Sequence, residues 1–200
     1  MDPRKDRRTR LDVVPSFDVM GLFLIIMIAN THLIFGNFSA ELVFLPDAFL
    51  SGDWWRLFTF PFVHTGWYHL FLDAGAFLCL YTGLSEKRIV GRLLCSGVCG
   101  LFSLTAVWLT SPEIHFLGLN GLSGIGHGLM ALSTLEMAAA SKSRRIGCVA
   151  FGFLVAKSLF ELLTGNVLFH FGLCGTPMPP SHAGGILGGV FLFMLQARKR

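Results

Sequence analysis

The sequence predicts an all-α membrane protein, one bundle of six helices that cross a bilayer. Three observations carry that expectation. Hydrophobic residues make up 53% of the 200 positions and charged residues only 14%, whereas a soluble domain usually carries about 25% charge. Six segments, at roughly 17–36, 66–84, 89–110, 119–139, 146–165 and 181–197, are apolar over most of their length, and about 20 such residues span a hydrocarbon core. The basic residues cluster where a six-span chain would keep them on one face. The mean hydropathy of +0.63 agrees.

The organisation along the chain follows. Residues 1–16 form a basic arm carrying Arg4, Lys5, Arg7, Arg8 and Arg10, the membrane domain covers 17–197, and Arg198, Lys199 and Arg200 form a short tail. No small-x-small site closes the first span as a cleaved leader would require. Lys87, Arg88 and Arg92 lie around the turn between spans two and three, and Lys142, Arg144 and Arg145 lie between spans four and five. Together these account for 14 of the 16 Lys and Arg. An even number of crossings puts them all, and both termini, in the cytoplasm. The expected location is the cell membrane, as a multi-pass protein, with the bacterial inner membrane as its setting. The +4 net charge then reads as topology. Nucleic acid is not an expected partner, because no basic stripe with interleaved stacking aromatics occurs. The lipid bilayer is.

The stretch from 37 to 65 is too long for a tight turn and too aromatic for an ordinary loop. Trp54, Trp55 and Arg56 suit the headgroup level, so this segment is expected to lie partly in the outer leaflet. The Pro- and Gly-rich loop at 170–181 is expected on the same side. The five cysteines contain no CxxC pair, which argues against a disulfide framework or a thiolate metal site.

Polar residues inside the apolar segments carry the chemistry, because they are costly in hydrocarbon and functional by default. Ser123 stands among Gly121, Gly124 and Gly128, and His182 precedes Gly184, Gly185, Gly188 and Gly189. Small residues four apart let helix backbones approach closely, so spans four and six are expected to meet and bring Ser123 to His182. A serine needs such a base to act as a nucleophile. It also needs donors for an oxyanion. First-turn backbone amides would supply them, with the His69 side chain as a further donor. His69 and Asp73 are four apart and share a helix face, as do Lys157 and Glu161. The second pair reads most simply as a mutual ion pair.

The chain resembles the rhomboid family of intramembrane serine proteases. The matching elements are Trp55-Arg56, His64-x4-His69-x3-Asp73, Gly121-Leu122-Ser123-Gly124, and His182 followed by glycines, in the family's order over about residues 50 to 190. His127 and the compact size are similar to the rhombosortase branch. The resemblance implies a six-transmembrane-helix rhomboid-type bundle that cleaves single-span membrane proteins near the outer face, through an acyl-enzyme. Rhombosortases are implied to act on C-terminal Gly-rich tails. It further implies a dyad of Ser123 as nucleophile and His182 as general base, with His69 supporting the oxyanion. His64 is implied to be structural and to order the first loop. Trp55, Arg56, His127, Gly124 and Gly185 are taken as structural residues near the site. One departure stands out. The family usually has Asn where this chain has Asp73, and an ionised Asp cannot donate to an oxyanion. Asp73 is left to orient His69 or to be protonated by burial. Asn120 then becomes a substitute donor, with Gly121 beside it.

Other readings stay open at this point. His127 lies four residues after Ser123 and is an alternative base. His64, His69 and Asp73 are zinc-type ligands, but no His-Glu-x-x-His motif occurs, and no metal or other cofactor is expected. The rival functions are a non-catalytic relative that binds membrane helices, and a small transporter with Lys157, Glu161 and Asp73 along its path.

Overall fold

A computed structural model describes residues 17–168 and 178–198. The arm at 1–16, most of the 170–181 loop with Cys174, and Lys199 and Arg200 lie outside the described residues. The described chain is all helical apart from one isolated antiparallel bridge between Phe44 and Leu119. The helices are α1 (Phe17–Ala29), α2 (His32–Phe35), α3 (Pro46–Leu50), α4 (Arg56–Thr59), α5 (Trp67–Gly83), α6 (Ile89–Thr110), α7 (Ile114–Leu117), α8 (Ser123–Ala139), α9 (Arg144–Thr164) and α10 (Pro179–Ala197).

The expected six crossings are not found. Among the described residues three stretches are long and apolar enough to cross a membrane: Phe17–Phe35, Ile89–Thr110 and Arg144–Thr164. The reason is local. Helices α5 and α8 have 17 residues each, about 25 Å at the α-helical rise, short of a hydrocarbon core. Helix α5 also carries His69 and Asp73 on its buried face. Helix α10 has 19 residues, but Pro179, Pro180, Ser181, His182 and four glycines dilute its hydropathy. The fold is therefore an all-α, membrane-associated helical bundle with three candidate spans. A topology counted from six crossings loses its basis.

Glycine builds the centre of the bundle. Helix α10 lies between α8 and α6 and packs most extensively against those two. A methyl group added at Gly185 would overlap the Gly124 carbonyl oxygen, and one at Gly189 would overlap that of Gly128. On the other side, a Cβ at Gly188 would lie 3.0 Å from the Cys99 Cα of α6. The two glycine pairs thus allow the backbone approach expected of small-xxx-small patterns. Helix α9 packs on α8 and α10, and it exposes Ile146, Val149 and Leu163. Such apolar exterior surface is what a lipid-facing helix presents.

A continuous core of Leu22, Ile26, Leu70, Phe77, Tyr81, Cys99, Leu122, Ile125 and Leu129 joins α1, α5, α6 and α8. At one end the Asp18 carboxylate receives Arg92 at 2.7 Å and the Tyr81 hydroxyl at 2.6 Å. Arg92, counted above among the topology charges, is buried and ties α6 to α1. A second core of Phe44, Phe60, Leu104, Val107, Ile114 and Leu119 lies beneath the 37–65 segment. Arg56 holds that segment together, donating to the carbonyls of Ala40 at 2.8 Å and Val43 at 2.7 Å and to Asp53 at 2.9 Å. The Trp55 indole donates to the Glu41 carbonyl at 3.2 Å.

Candidate active site

Ser123 is the first residue of α8, and among the described residues no side chain caps that helix. Its first-turn amides are therefore left for another acceptor. The approach to it is fixed by backbone. Phe44 and Leu119 exchange hydrogen bonds of 3.0 and 2.8 Å, and the Gly121 amide donates to the Phe60 carbonyl at 3.0 Å. Gly121 has φ +96°, a conformation that favours glycine. A Cβ there would also lie 2.8 Å from His69 Nε2 and 3.0 Å from Asp73 Oδ2. The backbone just before Ser123 thus passes directly over the His69–Asp73 pair.

His69, Asp73, Asn120, Ser123, His127 and His182 line one cavity of about 320 Å³. Lys157 reaches it as well. Ser123 is half-buried and His182 is buried. His182 is the fourth residue of α10, one turn inside the helix. No hydrogen bond joins Ser123 to His182 among the described residues.

The surroundings of His182 decide what it can do. Its Nδ1 lies 2.7 Å from Glu161 Oε2. Glu161 is fully buried, and its Oε1 accepts from Lys157 Nζ at 2.6 Å and from the Leu168 amide at 2.9 Å. Lys157 Nζ also lies 2.9 Å from His127 Nε2, and His127 Nδ1 lies 2.7 Å from the Ser123 carbonyl. The His127 and His182 rings stack at 3.9 Å with planes 11° apart. An ammonium only donates and a carbonyl only accepts. One protonation pattern satisfies the chain: Lys157 donates to His127 Nε2, His127 Nδ1–H donates to Ser123, and His182 Nδ1–H donates to Glu161. Both nitrogens of His127 are then occupied, so it is not a base for Ser123. Among the described residues, the free lone pair is that of His182 Nε2.

His64, His69 and Asp73 form the opposite wall. His69 Nδ1 faces the Thr65 hydroxyl at 3.2 Å, and His69 Nε2 lies 3.1 Å from Asp73 Oδ2. The His64 ring meets that of His69 edge-on at 4.9 Å. Among the described residues, both ring nitrogens of His64 and Asp73 Oδ2 are buried without a hydrogen-bond partner. Burial holds His64 down to about 4, against the opposing pull of the Asp73 carboxylate. The backbone around His64 is pinned by Asn30, whose Oδ1 accepts from the His64 amide at 2.8 Å, and by His32 Nε2 at 2.9 Å from the His64 carbonyl. Asn120 Nδ2 donates to the Val63 carbonyl at 3.3 Å, so one of its protons is spent on the loop. Two groups have ligand-type atoms within 4.8 Å of one another: His64, His69 and Asp73, and His127, Glu161 and His182. In the second group both nitrogens of His127 and both oxygens of Glu161 are already engaged in hydrogen bonds.

Trp55 and Arg56 brace the first loop and do not line the cavity. Gly124 and Gly185 sit at the α8–α10 contact beneath it. The Rhomboid domain family profile matches residues 51–199, which include every residue of this cavity. The chain belongs to the rhomboid family. No curated protein matches it.

What sequence reasoning missed in this rhomboid is the reach of Glu161. The pair with Lys157 forms as expected, at 2.6 Å, but Glu161 also holds His182. Helix depth carried the missing signal. Glu161 lies one turn before the end of α9 and His182 one turn after the start of α10, so the two share a level.

Proposed function

We propose that this rhomboid is an intramembrane serine endopeptidase acting on single-span, membrane-anchored proteins. One observation carries the reading. Ser123, at the uncapped start of α8, and His182, with Nδ1 engaged and Nε2 free, line a single cavity. In the proposed reaction Ser123 Oγ attacks the scissile carbonyl and His182 Nε2 takes its proton. First-turn amides of α8 and His69 hold the oxyanion. The C–N bond breaks, His182 returns the proton to the leaving amine, and water releases the acyl group by the same route.

The site opens toward the outer face in this reading. Lys87, Arg88, Lys142, Arg144 and Arg145 lie at the ends of α5, α6, α8 and α9 remote from Ser123, and basic residues mark the cytoplasmic side. A substrate helix must unwind to present its bond, which favours Gly-rich segments. His127 in the site is the feature shared with the rhombosortase branch, and it points to C-terminal Gly-rich tails as the substrate class.

A non-catalytic, helix-binding role is the second reading. It is favoured by the missing Ser123–His182 hydrogen bond and by Asp73 in place of Asn. A transport path is not favoured, because both oxygens of Glu161 are occupied. The test is a single-span reporter with a Gly-rich juxtamembrane segment, co-reconstituted in liposomes. Cleavage by wild type that is absent in Ser123→Ala and His182→Ala is expected. Reporter binding without cleavage by wild type would give the function to the second reading.

A further inference from the structure

We infer that Glu161 is a positioning residue for His182, so that the unit is Ser123–His182–Glu161 with Lys157 as its counter-ion. This rests on the proposed function and deepens it. The carboxylate is fully buried and lies 2.7 Å from His182 Nδ1. A carboxylate there places the imidazole proton on Nδ1 and leaves the Nε2 lone pair for Ser123. It also stabilises the imidazolium that forms when the serine proton moves.

The carboxylate is itself held. Lys157 and the Leu168 amide both donate to Oε1, which leaves Oε2 for His182. Lys157 contributes its charge and also occupies His127 Nε2 at 2.9 Å. That fixes the His127 ring flat against His182, at 3.9 Å. The histidine is thus constrained from its edge by Glu161 and from its face by His127. No proton passes to Glu161 in this account; the carboxylate stays ionised through the cycle. An ion pair in the crossing helix α9 is costly in hydrocarbon, and this role explains what it does there.

The test uses full-length protein in detergent. The first readout is the rate of inactivation by a fluorophosphonate probe. For Glu161→Gln a loss on the order of 10²–10⁴-fold is expected, as when a triad carboxylate becomes an amide. Glu161→Asp should recover part of that loss. Glu161→Gln leaves Lys157 buried and unpaired, so Glu161→Gln/Lys157→Met is the folded control and should stay slow.

The second readout is the ¹⁵N spectrum of histidine-labelled protein, with His182→Gln identifying the resonance. Wild type should show a single Nδ1–H tautomer that becomes mixed in the double variant. Inactivation at the wild-type rate by both Gln variants, with the tautomer unchanged, would overturn the inference and leave the proposed function standing. If the wild type is not labelled at all, the proposed function fails. The tautomer then decides the inference alone, and an unchanged His182 signal in the double variant overturns it.

Discussion

His182 Nδ1 and Glu161 Oε2 stand 2.7 Å apart where α10 meets α9. The contact ties a crossing-length helix to the shorter, glycine-rich one, and in the proposed mechanism it orients His182 as the base. Because Glu161 also carries Lys157 at 2.6 Å, the stability of that corner and the geometry of His182 are coupled.

The pair should show this coupling in unfolding. Lys157→Met or Glu161→Gln alone strands a buried charge, at a cost on the order of 3–5 kcal/mol. The double variant strands none, so its midpoint in a detergent thermal melt should lie above that of at least one single variant. Additive losses across the cycle would contradict a buried pair.

Close backbone contact between α8 and α10 should fail at a single methyl group. Gly185→Ala overlaps the Gly124 carbonyl, and overpacking of this kind costs about 1–3 kcal/mol. It also displaces His182, three residues earlier on the same helix. Fluorophosphonate labelling should fall with the melting midpoint. Gly97→Ala meets open space and should leave both close to wild type.

Asp73 should respond to a change of donor. Its Oδ2 is buried 3.1 Å from His69 Nε2 without a well-aligned hydrogen bond. Asp73→Asn places an N–H beside the cavity, where one oxyanion donor is worth up to on the order of 10²–10³ in rate. Labelling by the Asn variant should be faster than by wild type, and slower labelling would assign the carboxylate a positive role.

His64 sets a dependence on acid. Its folded value, held to about 4 by burial, is below the ordinary 6.5. The unfolded chain therefore binds its proton first, and stability falls as pH drops from 6.5 toward 4. The loss is on the order of 3 kcal/mol over that window, with the nearby Asp73 acting against it. His64→Phe should flatten the slope measured by detergent melts between those limits, and an unchanged slope would place the titration elsewhere.

Much of the bundle was legible in the residues. The apolar run at 89–110 is α6, residue for residue, and the glycine spacing of the last helix foretold its approach to α8. The number of crossings was not legible. The segment read from 119 begins as a helix only at Ser123, because the Phe44–Leu119 bridge and the left-handed Gly121 hold the preceding residues out of the helix. That removes about one turn from a span already near the limit. At the site, Ser123 and His182 stood out as polar groups in apolar surroundings. Glu161 did not, because Lys157 four residues away already accounted for its charge. Its second partner depends on how α9 is rotated against α10, which spacing within one helix does not encode.

In the proposed reaction His182 activates Ser123. The most direct test is mass-spectrometric mapping of the fluorophosphonate adduct on purified protein. One adduct is expected, on Ser123, absent from Ser123→Ala and lost in a folded His182→Ala. An adduct on another residue, or labelling of Ser123 that survives His182→Ala undiminished, would contradict it.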